Sequence, residues 1–124
     1  MRRIPPVVIG LLPAPLVALA QSVSTGTYVG RMEFVDPSSG KPVSAMTSVT
    51  LDQVEGGKVK GSVYLPYASC REDVAVAGRV SGDTLTLWGK GSKEGCGVHW
   101  DLRISSNTLD GKSRSGATSI SVSK

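Results

Sequence analysis

From residue 27 to residue 122 the chain is written in a two-residue period. Val98, Trp100, Leu102 and Ile104 alternate with His99, Asp101 and Arg103. In an extended strand that spacing puts the apolar set on one face and the charged set on the other. Val59, Gly61, Val63 and Leu65 repeat the pattern against Lys58, Lys60, Ser62 and Tyr64. Val74, Val76, Gly78 and Val80 make a third such face, and Leu85 with Leu87 a fourth. Weaker strands are expected at residues 27–35, 45–54, 108–112 and 117–122. Residues 45–55 can be drawn as a helix, but their Thr and Val content favours a strand. Eight short strands separated by turn signals predict an all-β domain, a barrel or a sandwich.

The connections decide between the two. Gly56-Gly57, Ser81-Gly82-Asp83 and Ser105-Ser106-Asn107 read as tight hairpin turns, with Gly or Asn where positive φ is needed. Residues 36–42, 66–73 and 90–95 read as longer loops, so tight and long connections alternate. In an up-and-down meander alternate connections lie at opposite ends. Three long loops then gather at one end, and Cys70 and Cys96 fall in or beside two of them. An up-and-down barrel of about eight strands is therefore expected, with a Greek-key sandwich as the alternative.

The N-terminus supplies an address. Arg2 and Arg3 precede a run from Ile4 to Ala20 that carries no charge and ends Ala18-Leu19-Ala20. Positive start, apolar middle and small-residue cleavage site are the three parts of a secretory signal peptide. The expected layout is a signal at residues 1–20 and one domain at residues 21–124, exported to the periplasm or secreted. A membrane anchor is disfavoured because the run is short and Pro5, Pro6, Pro13 and Pro15 interrupt it. In an oxidising compartment the only two cysteines imply a disulfide, Cys70 to Cys96. Closing that loop is worth roughly 3 kcal/mol in the chain-entropy account.

Export also changes the charge argument. The whole chain carries +4, but removing Arg2 and Arg3 leaves 12 basic against 10 acidic residues, a net +2. The basic residues are scattered and not drawn into a stripe with interleaved aromatics, so nucleic-acid binding is not expected.

Gly26-Thr27-Tyr28 opens the first strand. It resembles the Gly-x-Trp opening of the calycin barrels, the lipocalin and avidin types, with Tyr28 where the Trp would stand. The resemblance implies a barrel whose binding site lies at its open mouth. None of the biotin-binding pattern of avidins can be placed on these residues, so no ligand is carried over.

Catalytic groups are sparse. His99 is the only histidine, beside Asp101 on the polar face of its strand. Two residues apart on one strand, the pair stands roughly 6–7 Å apart with parallel side chains. That is awkward for an imidazole oriented by a carboxylate, and no Gly-x-Ser-x-Gly elbow exists. Glu72-Asp73 with Asp101 could be imagined as a two-carboxylate glycosidase, yet nothing marks them as buried. Two sulfurs and one His do not make a closed zinc site. Neither an enzyme, a metal site nor a cofactor is expected.

Aromatic residues near the long-loop end remain. Tyr67 precedes Cys70 by three residues, and Trp88 breaks the polar face of its strand next to Gly89-Lys90-Gly91. With Arg71, Lys90, Lys93 and Glu94 around them, they form the expected contact surface, since exposed aromatics with Arg nearby favour protein contacts. The expected function is an exported, non-enzymatic binding protein of the bacterial cell envelope. It would meet a protein partner at its disulfide-braced loop end, including the case in which it inhibits an enzyme by inserting a loop. The alternative is a carrier of a small apolar or amphipathic ligand in the barrel interior, and a remote one is a hydrolase using His99.

Overall fold

The computed structural model describes residues 23–124, so the export signal expected at residues 1–20 lies outside the described residues. Eight strands follow in order: β1 (Gly26–Val35), β2 (Pro42–Glu55), β3 (Lys58–Tyr67), β4 (Cys70–Ser81), β5 (Thr84–Gly89), β6 (Val98–Ser105), β7 (Thr108–Ser113) and β8 (Ser119–Ser123). Each pairs antiparallel with the next, and β1 pairs with β8 to close the barrel. Closure leaves no sheet edge, which a sandwich would have to cover. The up-and-down barrel is the fold, and residues 45–55 are strand.

The two-residue period becomes an inside and an outside. Val98, Trp100, Leu102 and Ile104 are 4% exposed or less, whereas His99 and Arg103 face solvent. Met32, Val49, Val63, Leu65, Leu85 and Leu87 meet them in the middle with no accessible surface. Burying a side chain of this size contributes roughly 1.5–3 kcal/mol, so this packed column is the main source of stability. Apolar inside and polar outside is the reverse of a barrel that faces lipid. No helix among the described residues is long and apolar enough to cross a membrane.

Inward-facing glycines set how tightly the sheet coils. A Cβ on Gly30 would strike the carbonyl oxygen of Ser121, and one on Gly61 that of Thr50, each on the neighbouring strand. These glycines leave no hollow inside; they let adjacent backbones cross closely. β2 carries one irregularity, where its register with β3 shifts between Leu51 and Gln53. The extra residue returns Val54 to the core side, three positions after Leu51, where strict alternation would turn it outward.

The two ends differ. At one end the connections are Gly56-Gly57, with φ of 60° and 80°, then residues 82–83 and Ser106-Asn107. At the last of these the positive φ of 52° falls on Ser106, where Asn107 was the expected bearer. The two ends of the described residues also lie here: Tyr28 is buried, its hydroxyl donates to the Ser24 carbonyl at 2.9 Å, and the Lys124 Nζ stands 5.5 Å from its ring centre. Lys124 Nζ further donates to Ser24 Oγ at 2.7 Å and the Thr25 carbonyl at 2.9 Å, tying the start of the described residues to the last one across the closed end.

At the opposite end the connections are residues 36–41, 68–69, 90–97 and 114–118. The long loop expected at residues 66–73 is replaced by ladder: Pro66 pairs with Arg71 and Tyr67 with Cys70, joined by Ala68-Ser69 alone. Within this extended ladder Glu72 finds its partners in the loop above it, at Ser92. Cys70 opens β4 and is bonded to Cys96 in the 90–97 loop, with a Cα–Cα distance of 6.0 Å.

Candidate binding mouth

The last turn of the barrel toward the looped end is not filled. The β2–β3 ladder ends at Val49 opposite Val63, and β2 continues to Pro42 paired with β1 alone. Thr47 marks the parting, its buried hydroxyl donating to the Tyr64 carbonyl at 2.6 Å. Beyond it a cup of about 1100 Å³ opens, with Phe34, Val43, Tyr67, Val98 and Trp100 among its lining residues. Volumes of this order suit small-molecule sites or an inserted segment of chain.

Each wall is held by a nameable contact. Phe34 from β1 and Tyr67 from β3 meet edge to face at 4.8 Å between ring centres. The Tyr67 hydroxyl lies 3.2 Å from Thr118 Oγ1, linking this pair to the 114–118 loop. Trp100 is 1% exposed, so it is a floor whose far side packs into the core. Such aromatic geometry is worth about 0.5–1.5 kcal/mol beyond burial and keeps the cup in one shape.

The 90–97 loop is pinned from β4 at two points. Cys70 holds Cys96, and Glu72, two residues along the same face, accepts from Ser92 N at 3.2 and 3.3 Å and from Ser92 Oγ at 2.9 Å. Gly91 passes so close to Cys96 that a Cβ there would collide with its carbonyl oxygen and press against the Glu72 carboxylate. Gly95 and Gly97 from this loop then reach the cup.

Polar groups ring the opening. Asp36 accepts from Ser38 N at 3.0 Å and Ser38 Oγ at 2.9 Å, which holds its carboxyl below the usual carboxylate range. Arg71 lines the cup and has no ion-pair partner among the described residues. Arg114 also borders it, but its guanidinium is drawn to Asp101, with Nε at 2.8 Å and Nη2 at 3.1 Å. Thr86 Oγ1 donates to Asp101 as well, at 2.9 Å. Those hydrogen bonds, the Arg114 pair first, lower the Asp101 pKa and raise that of Arg114. Both Asp101 oxygens are thereby engaged, with Arg114 and Thr86 as partners.

The expected contact residues divide. Tyr67 and Arg71 line the cup. Trp88 does not: it is 43% exposed on the outer wall, paired with Ala77 and His99. Lys90, Lys93 and Glu94 are exposed around the 90–97 loop and do not line the cup. Phe34, Trp100, Thr118 and Asp36 were missed as site residues. Closure brings the 114–118 loop near β3, and Phe34 reaches Tyr67 where β2 parts from β3; no local pattern signals either. Among the described residues no group of three His, Cys, Asp or Glu side chains is placed to hold a metal. No family model matches the chain, and no curated protein or solved structure is significantly similar to it.

Proposed function

We propose that the chain is an exported, non-enzymatic binding protein of the bacterial cell envelope that contacts a protein partner through its disulfide-braced mouth. The observation that carries this reading is the position of Trp100. Below it the barrel is packed solid, which disfavours a cargo held in the interior. Above it lies a braced, aromatic-lined cup open to solvent. Rigid aromatic anchors in a preformed recess are what protein contacts use, since little side-chain freedom is lost on docking. The two ends of the described residues, at Ser24 and Lys124, meet at the end opposite the mouth. The polar outer wall and the disulfide support export.

The test places a photo-crosslinking side chain at Ser38 or Ser69 on the rim, and at Ser106 on the closed end as control. The expected result is a discrete protein adduct in the native envelope from the rim positions only, lost when Phe34 and Tyr67 are both changed to Ala. Equal crosslinking from Ser106 would overturn the assignment. A bound mass below that of a peptide in native mass spectrometry, lost on denaturation, would replace the protein partner with a small cargo. Mass spectrometry of the exported chain should find Gln21 at its N-terminus.

A further inference from the structure

We infer that the segment seated in the mouth joins an apolar side chain to a carboxylate, and that Arg71 receives the carboxylate. The inference rests on the mouth being the partner site and adds the chemistry of what enters it.

Two features of the opening lead there. The floor and walls are apolar and aromatic, through Phe34, Tyr67 and Trp100, so the deepest part of an occupant must be apolar. The charge at the rim is unequal in availability. Among the described residues Arg71, Lys90 and Lys93 have no ion-pair partner. The acids of this end are already engaged: Asp36 holds its own loop through Ser38, and Glu72 holds the 90–97 loop through Ser92. Those hydrogen bonds leave both acids charged, but neither forms an ion pair with Arg71. An unpaired guanidinium beside an apolar recess favours an anionic visitor over a cationic one.

Among the described residues Arg71 is the unpaired cation that borders the cup. It stands opposite Pro66 at the top of the β3–β4 ladder, next to the Tyr67–Cys70 pair, and lines the cavity. Arg114, the other arginine at the border, is committed to Asp101. A guanidinium presents a planar fork that matches a carboxylate bidentately, which an ammonium cannot do. Asp36, on the residue 36–41 side, disfavours a second acid there. The carboxylate therefore points to the β4 side while the apolar group lies over Trp100. The occupant is an acidic, apolar stretch of polypeptide.

The experiment uses the oxidised chain of residues 21–124, isotope-labelled, and two blocked peptides as probes: acetyl-Phe-Leu-Phe-Asp-amide and the same peptide ending in Asn. Millimolar titrations are followed by NMR at the backbone amides and at Arg71 Nε. Both peptides should shift Tyr67, Ser69 and Thr118, the Asp peptide binding about tenfold more tightly and alone moving Arg71 Nε. Arg71→Gln should erase the tenfold difference while the spectrum stays folded, and Arg71→Lys should restore part of it. Equal binding of the two peptides at the mouth, unchanged in Arg71→Gln, would overturn the carboxylate preference and leave the apolar seat standing. No shift at the mouth with either peptide would overturn the seat as well.

Discussion

Asp101 is where one residue's surroundings settle what it can do. On a strand face it had two apparent partners, the sole histidine and a neighbouring arginine, and its actual partner arrives from another element. Arg114 crosses from the start of the 114–118 loop to place two nitrogens on it, and Thr86 adds a hydroxyl from β5. An aspartate so held binds its proton less readily when folded than when unfolded. Its contribution is therefore fully present above the ordinary aspartate pKa and is lost as pH falls through the lower native value. In a carboxyl-detected NMR titration Asp101 should have a midpoint below that of a free aspartate, and Arg114→Gln should move it up. The pair is solvent-exposed, so added salt should shrink the difference, and acid unfolding should shift only slightly. A midpoint unmoved in Arg114→Gln would mean the ion pair does not form in solution. Asp101 is legible in sequence as a polar-face residue, but its role is not, because the partner lies across a strand pairing that alternation does not specify.

At the scale of elements, the strands were legible wherever side chains alternated, and illegible where a backbone event reset the count. The β2 bulge is one such event: Asp52 and Gln53 look like a strand leaving the core, yet Val54 returns to it. The top of β3 and β4 is the other, because Pro66 and the Glu72-Asp73 pair read as loop until the 90–97 loop comes down to satisfy Glu72. That loop has no secondary structure of its own and depends on its two pins. Replacing both Cys70 and Cys96 by Ser should lower stability by about 3 kcal/mol in denaturant titration. Hydrogen exchange should accelerate at residues 90–97 well before the β2–β3 ladder opens, since loops open locally when a tether goes. Glu72→Gln should speed exchange at the Ser92 amide with a much smaller loss of stability, because the neutral amide oxygen is a weaker acceptor. If exchange in the loop were unchanged in both variants, the pins would not be what shapes the mouth.

For the whole molecule the question is how a barrel of eight strands divides its interior between stability and function. Eight strands enclose a space that side chains can just fill, or that can hold one ligand. Here the space is divided along its axis: Met32, Val49, Val63, Leu65, Leu85 and Leu87 fill the middle, Tyr28 with Lys124 seals one end, and the cup occupies the other. Trp100 is the boundary, touched by the core below and the cavity above. Its inward position follows from alternation on β6, but its height along the axis depends on the register of every strand around the ring. The same is true of Phe34, which meets Tyr67 two strands away, at the end of the barrel where β2 has parted from β3. Truncating the boundary therefore has a two-part expected outcome. Trp100→Ala should cost about 3–5 kcal/mol, as the loss of a buried indole does elsewhere. It should also join the cup to the core as one apolar hollow. Benzene or indole should raise the melting temperature of that variant more than that of the wild type, because truncation adds apolar space below the cup that such molecules can fill. If these probes stabilise wild type and variant alike, Trp100 does not separate the cup from the core, and a cargo reaching into the barrel becomes the better reading of its function.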